Sequence, residues 1–192
     1  MSSLLVVAHP DPQSFTHHVA DRLAAALPAG EVEIADLTAE GFDPRFTLAD
    51  RHAYAVAGEY PADVAAEMAR IDRADHLVLV FPVFWWSMPA LLKGWIDRVF
   101  ANGWAFGIGE GGGIRPGLGR LTVHLVPVAG SDAALYERRG YDRAFATQIE
   151  TGILDYCGVR RGRTEFLYDA DAGGAAADLD AVVARIAAAV RA

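Results

Sequence analysis

A chain of 192 residues fits one domain, residues 1–192, with a full-sized core, and at 53% hydrophobic and 22% charged it is globular rather than disordered. The formal net charge of −8, with no basic stripe, argues against nucleic acid as a partner. No apolar run is long enough to span a membrane, the N-terminus has no basic leader region, and the single cysteine, Cys157, excludes an internal disulfide, so a cytoplasmic chain is expected.

Strand-like and helix-like runs alternate along the chain. Ser3–Ala8 (SLLVVA) is continuously apolar and predicts a buried strand. Phe15–Leu27 is amphipathic, with Phe15, Val19, Leu23 and Leu27 recurring every four residues. Glu31–Asp36 alternates as a strand does. Thr38–Gly58 is irregular, with a short helix after Thr47. Pro61–Arg73 predicts a helix opened by proline, His76–Phe81 a second buried strand, and Pro89–Phe100 another proline-opened helix. The glycine-rich piece Gly107–Gly119 predicts one long mobile loop. Leu121–Val128 predicts a strand, and Tyr141–Tyr156 a helix stopped at Gly158. Arg163–Tyr168 predicts the fifth strand and Ala175–Arg191 the last helix. Such alternation implies an α/β fold, a doubly wound parallel sheet covered by helices on both faces. The commonest five-stranded order is 2-1-3-4-5. Its ligand crevice lies outside the carboxyl ends of strands 1 and 3, at His9–Thr16 and Pro82–Met88.

Those two segments carry the chemistry. In HPDPQSFT, the helix start after strand 1 offers free N–H groups to a phosphate, with hydroxyls from Ser14 and Thr16 and a donor from His9. The plainer alternative makes Ser14 an N-cap and His9 a satisfied strand-end histidine; Asp11 argues mildly against an anion. Neither a dinucleotide fingerprint nor a nucleotide-hydrolysing phosphate loop is present. In PVFWWSMP, Pro82 ends the strand, so Val83 to Trp86 can turn backbone groups toward a ligand, and Trp85 and Trp86 suit a flat heterocycle.

Taken with FPVFWWSMPALLKGWIDRVF, WAFG, GILDYCG and GFDPRF, the HPDPQSF loop resembles the flavodoxin-like NAD(P)H:quinone oxidoreductases, the DT-diaphorase family, over about residues 4–168. The resemblance implies a flavin. Its phosphates would meet His9, Gln13, Ser14, Phe15 and Thr16, and its ring Pro82, Val83, Phe84, Trp85 and Trp86. The third loop, Val126-Pro127-Val128-Ala129-Gly130, departs from the family's Thr-Thr-Gly-Gly-like pattern, although backbone contacts from Val126, Pro127, Val128 and Gly130 are still expected. A family tyrosine and histidine match Tyr136 and Tyr141, the second a departure, and both are candidate catalytic residues. Phe106, Ile108 and Tyr156 match positions that wall the substrate pocket, which a second subunit of a homodimer completes. The implied reaction is ping-pong: NAD(P)H, then a quinone or similar flat acceptor, exchange hydride with the cofactor in one pocket. FAD is favoured by HPDPQSFT and by Thr38–Gly58, long enough to cover an adenine. FMN, as in azo- and nitro-reducing relatives, is the alternative. A flavin-binding ancillary subunit of a potassium-efflux system is a further reading.

Lys93 and Asp97 are spaced for a helix salt bridge. Trp95 and Phe100 read as core or dimer contact, and Cys157 as inert packing. His17, His18, His52, His76 and His124 show no metal-ligand grouping, so no catalytic metal is expected.

Overall fold

The computed structural model describes residues 1–192. In chain order its strands are β1 (Ser3–Val7), β2 (Val32–Asp36), β3 (His76–Pro82), β4 (Phe106–Ile108), β5 (Ile114–Pro116), β6 (Thr122–Val128) and β7 (Arg160–Thr164). Its helices are α1 (Phe15–Ala26), α2 (Leu48–Ala55), α3 (Ala62–Asp72), α4 (Ala90–Val99), α5 (Ala133–Arg139), α6 (Tyr141–Phe145) and α7 (Ala175–Val190); α6 runs directly into a π-helical stretch, Ala146–Asp155. Five strands form a parallel sheet in the order β2-β1-β3-β6-β7. With the small β4–β5 hairpin set aside, this is the expected 2-1-3-4-5 order.

The continuous apolar runs have a direct cause. Successive side chains of a strand face opposite sides. Leu4, Val6, Leu77, Leu79 and Phe81 enter the core beneath α3, α4 and the π-helical stretch, while Leu5, Val7, Val78 and Val80 enter the core beneath α1 and α7. Both faces are covered, so no position along β1 or β3 is free to be polar except the entering Ser3 and His76. Thr47 caps α2, accepting from the Asp50 N–H while Asp50 accepts from the Thr47 N–H at 2.7 Å. Arg98 of α4 then clamps this segment, donating to Asp50 at 2.9 Å, to the Asp43 carbonyl at 2.8 Å and to Asp63 at 2.7 Å. Trp95 is fully buried and donates its indole N–H to Glu67 at 2.8 Å, so it belongs to the core. Phe100 is buried in the same core. Lys93 and Asp97 pair at 2.6 Å.

Two expectations need correction, for the glycine-rich segment and the fifth strand, and two helical segments gain detail. Gly107–Gly119 is not one loop: Phe106–Ile108 and Ile114–Pro116 pair antiparallel, and Gly111 and Gly112, both at positive φ, make the turn between them. The glycines that suggested mobility are what let a tight hairpin close. The segment Ala133–Arg139 is helical, capped by Asp132, which accepts from the Leu135 N–H at 2.7 Å, and stopped by Gly140 at φ 71°. Tyr141–Tyr156 is helical as expected, but its middle is widened to π spacing. The fifth strand begins at Arg160, three residues before the expected start, because a charged edge strand lacks the apolar pattern that marks a buried one.

A buried histidine pair explains the irregularity in that edge. His76 and His124 stack with ring centroids 5.3 Å apart, and His76 Nδ1 lies 3.1 Å from His124 Nε2. His124 Nδ1 accepts the Arg163 backbone N–H at 3.1 Å. The β6–β7 register shifts between Val123 and Leu125, and the imidazole fills the bulge. A Cβ on Gly162 would come within 2.4 Å of that ring, so only glycine fits there. Burial, then His76 and Arg163, push the His124 imidazole down to about 4, which keeps it neutral.

Candidate active site

The carboxyl ends of β1, β3 and β6 meet at a cavity of about 320 Å³. The first loop is organised by its own polar groups. His9 Nδ1 accepts the Asp11 N–H at 3.0 Å, which leaves the imidazole proton on Nε2. Asp11 turns along its own loop, its carboxylate accepting the Gln13 N–H at 2.9 Å. The carboxylate that argued against an anion site therefore has a structural partner of its own. Ser14 is the N-cap of α1 and accepts the His17 N–H at 3.2 Å. At N1 and N2 of this helix, the Phe15 and Thr16 N–H groups have no intrahelical acceptor, and they sit at its positive end. His9, Ser14, Phe15 and Thr16 line the cavity; Gln13 is exposed at its rim.

The second loop is strained. Phe84 and Ser87 exchange both backbone hydrogen bonds at 3.1 Å, closing a two-residue turn. The two residues inside it, Trp85 and Trp86, have φ of 51° and 59°. Such a turn ordinarily takes Asn-Gly, because a side chain at positive φ costs about 1–2 kcal/mol per residue. Two bulky aromatics held there are an outlier of the kind that collects at ligand sites. Trp85 is 87% exposed, whereas Trp86 is half-buried and stacks on Tyr141 with centroids 4.2 Å apart. Ser87 anchors the loop by donating to the Gln148 side chain. Pro82, Val83 and Phe84 line the cavity, and the Val83 N–H is held by the Val128 carbonyl at 2.8 Å.

The third loop opens later than the sequence suggested. Val126 and Pro127 lie inside β6, paired with Val80 and Phe81, and are buried. They do not line the cavity; Val128 and Gly130 do. A Cβ on Gly130 would lie 2.4 Å from the Asp171 carboxylate, so the two residues meet closely across the site. Ser131, next to the anticipated Gly130, and Asp171, which reaches the site only through tertiary packing, were not anticipated. Both line a second hollow, of about 270 Å³, with Val83, Trp85, Trp86, Gly130 and Tyr136. Tyr136 is buried among Tyr141, Phe166 and Tyr168 at centroid distances of 5.9, 5.7 and 5.2 Å. Burial, with help from Tyr168, pushes its phenol up to about 12, so it remains a donor across the working pH range. Tyr141 opens α6 and touches the site through Trp86 and Tyr136.

Phe106 and Tyr156 are not brought to these loops. They pack edge-on at 5.2 Å and line a separate hollow of about 290 Å³ with Tyr54, Lys93 and Asp97. Ile108 stands beside them on the hairpin, 68% exposed. Cys157 closes the floor of this hollow, its thiol pushed up by burial to about 11. The segment Thr38–Gly58 contributes Tyr54 to this hollow and no residue to either loop cavity.

Residues 1–190 match a family model described as a flavodoxin-like fold. The chain is 29% identical over 181 residues to ribosyldihydronicotinamide dehydrogenase [quinone] of Pongo abelii, covering 82% of this chain and 77% of that protein. It is 30% identical over 166 residues to an uncharacterized NAD(P)H oxidoreductase of Escherichia coli, covering 85% and 81%. The structure superposes on an NAD(P)H:quinone oxidoreductase from Methanothermobacter marburgensis with a TM-score of 0.84 and 27% identity, covering 96% and 94% of the two chains. The chain belongs to the NAD(P)H:quinone oxidoreductase family. It is thus an enzyme of the NAD(P)H dehydrogenase (quinone) type, a flavin-dependent oxidoreductase. No helix is long and apolar enough to cross a membrane.

Proposed function

We propose that the protein binds FAD across the carboxyl ends of β1, β3 and β6 and reduces quinones or similar flat acceptors at the expense of NAD(P)H, as a homodimer. The observation that carries this reading is the strained Trp85-Trp86 turn beside a helix N-terminus whose first N–H groups line a cavity. One feature supplies a flat aromatic wall and the other an anion cradle, which are the two ends of a flavin nucleotide. The residues present fit the group. The Phe15 and Thr16 N–H groups, the Ser14 and Thr16 hydroxyls and His9 Nε2 would hold the phosphates, with Gln13 at the rim. Backbone groups of Val83 to Trp86 and the bare Cα of Gly130 admit a ring edge.

When bound, the flavin supplies a two-electron carrier that serves NAD(P)H and the acceptor in turn, a ping-pong cycle. The chain's own part is position and proton supply. Trp85 and Trp86 exclude water from the stacked partners. Tyr136 Oη donates to the acceptor oxygen as charge builds there. Tyr141 braces Trp86 and Tyr136. Val126 and Pro127 act only by fixing where Val128 and Gly130 emerge. Phe106, Ile108 and Tyr156 wall the pocket of a second copy, which accounts for their distance from their own loops and for the exposure of Ile108.

The reading is tested by stopped-flow kinetics under anaerobic conditions. Mixing with NADPH or NADH should bleach the protein's visible absorbance, and a quinone added afterwards should restore it in a separate step. A restoring rate that requires both substrates at once would remove the ping-pong cycle. FMN is the second reading, favoured by the absence of any Thr38–Gly58 residue from the loop cavities.

A further inference from the structure

Behind the cradle lies a hydrogen-bond chain that neither loop motif announces. Ser14 Oγ is 3.0 Å from His17 Nδ1, and His17 Nε2 is 3.0 Å from Asp36 Oδ2. Asp36 ends β2, the strand beside β1, so the sheet order carries its carboxylate to the start of α1. Its other oxygen accepts the Thr38 and Ala39 N–H groups at 3.0 and 3.1 Å. Burial alone would raise this carboxyl, but the Ala39 N–H, the His17 imidazole and the Thr38 N–H outweigh it and hold it below its ordinary value. Asp36 is therefore an ionised acceptor, and His17 must present a proton on Nε2.

That fixes the rest of the chain. With Nε2–H given to Asp36, a neutral His17 has a bare Nδ1, which can only accept. The Ser14 hydroxyl must then point its proton at His17, and its oxygen already accepts the His17 backbone N–H. In this state Ser14 shows the cavity no donor. The cavity also lacks a strong cation. Its lining contains no lysine or arginine, and the carboxylate of Asp171 is part of it. A diphosphate entering there meets one imidazole, His9, at the wall, with His17 edge-on behind it at a centroid distance of 6.2 Å.

We infer that Ser14, His17 and Asp36 form a proton-coupled relay, in which His17 takes up a proton as a phosphate-bearing cofactor binds and thereby releases the Ser14 hydroxyl to the phosphate. The inference rests on the cradle reading of the first loop. The proton comes from solvent and bonds to Nδ1. Nδ1–H then donates to Ser14 Oγ, and the Ser14 O–H rotates to donate to a phosphate oxygen. The imidazolium sits between Asp36 and the incoming anion, so each carboxylate or phosphate oxygen favours its charge. The groups facing His17 are Asp36 from β2, Ser14 and His9 from the first loop, Asp11 behind His9, and Asp171 across the cavity. His17 is a positioning residue: it reaches the cofactor through Ser14.

The test is calorimetric titration of the flavin-free protein with FAD in pairs of buffers of different ionisation enthalpy, across about pH 5 to 8, the range in which imidazoles change charge. FAD is the probe because its diphosphate holds no proton there, and riboflavin, which lacks phosphate, is the control. The expected result is uptake of up to about one proton with FAD and none with riboflavin, and an affinity for FAD that falls by up to about tenfold per pH unit toward the alkaline side. His17→Gln should abolish the uptake and flatten the profile while weaker binding persists. Asp36→Asn should move the same profile to lower pH. Pulse binding of FAD with no proton uptake and a flat profile overturns the relay while leaving the cradle intact. Uptake that survives in His17→Gln assigns the proton to His9 and overturns it too. Failure of FAD to bind at any pH sinks the cradle reading itself, and the relay with it.

Discussion

At the scale of single residues, Trp85 and Trp86 are held where side chains rarely go, and the surroundings explain how. Phe84 and Ser87 close the turn, Ser87 is tied to Gln148, and Trp86 lies on Tyr141. The sequence marked the doublet as a candidate site, but its left-handed backbone was not legible, since nothing local in a Trp-Trp pair asks for positive φ. Ser14 as a cap was legible from its place before an amphipathic run. His17 and Asp36 were missed, although a signal existed: a histidine three residues after a cap faces back to it, and an acid ending strand 2 lands beside that cap in a 2-1-3 order. Tyr136 is the residue proposed above to donate to the acceptor. Its phenol is buried and kept protonated, and it borders the hollow beside the tryptophans. Tyr136→Phe should slow the quinone half-reaction by roughly ten- to a hundredfold, with reduction by NAD(P)H and cofactor content unchanged. Single-turnover rates identical to the parent would take Tyr136 out of the mechanism.

At the scale of elements, the buried strands and the amphipathic helices followed from periodicity because each buries a regular face. The elements that escaped have weak or misleading patterns. β7 is an exposed edge studded with arginines, α5 is a seven-residue helix, and the β4–β5 hairpin is built on glycines. Two predictions belong here. Gly94 sits mid-helix in α4, where alanine would ordinarily stabilise by about 0.5–1 kcal/mol. Here its Cβ would lie 2.3 Å from the Pro44 carbonyl oxygen, a backbone atom that cannot simply swing away. Gly94→Ala should instead destabilise by about 1–3 kcal/mol, read as a lower denaturation midpoint; a raised midpoint would show that Thr38–Gly58 is not packed on α4 as described. The second prediction concerns the histidine pair. Unfolded, an imidazole binds its proton near about pH 6.5, whereas folded His124 does so only at about 4. The folded value is the lower one, so the unfolded chain gains protons first. Stability present above about pH 6.5 is lost as the pH falls toward about 4. Between about pH 7 and 5 the parent should lose on the order of 2 kcal/mol more than His124→Phe. Equal acid slopes in urea titrations would refute the assignment.

At the scale of the molecule, one chain carries two separate sets of hollows: those at the loops with the tryptophans, and one beside the hairpin lined by Phe106 and Tyr156, with Ile108 exposed next to it. A homodimer that presents the second to the first makes both intelligible. Ile108→Asp should then shift the sedimenting species from dimer to monomer and lower turnover while leaving cofactor content near normal; a monomeric parent with full activity would contradict it. The overall architecture was legible because alternating strands and helices admit few topologies, and the crevice followed from that topology alone. The expectation of a second subunit came from the family resemblance, since a single chain's periodicity does not record what meets its surface. The central claim, that the crevice holds a flavin nucleotide, is tested most directly by the visible absorbance of the purified protein and the mass of whatever acid releases from it. The account predicts flavin bands and about one FAD per chain. Release of FMN would keep the cradle and correct the cofactor, and a colourless protein that binds neither FAD nor FMN when they are added would contradict the claim outright.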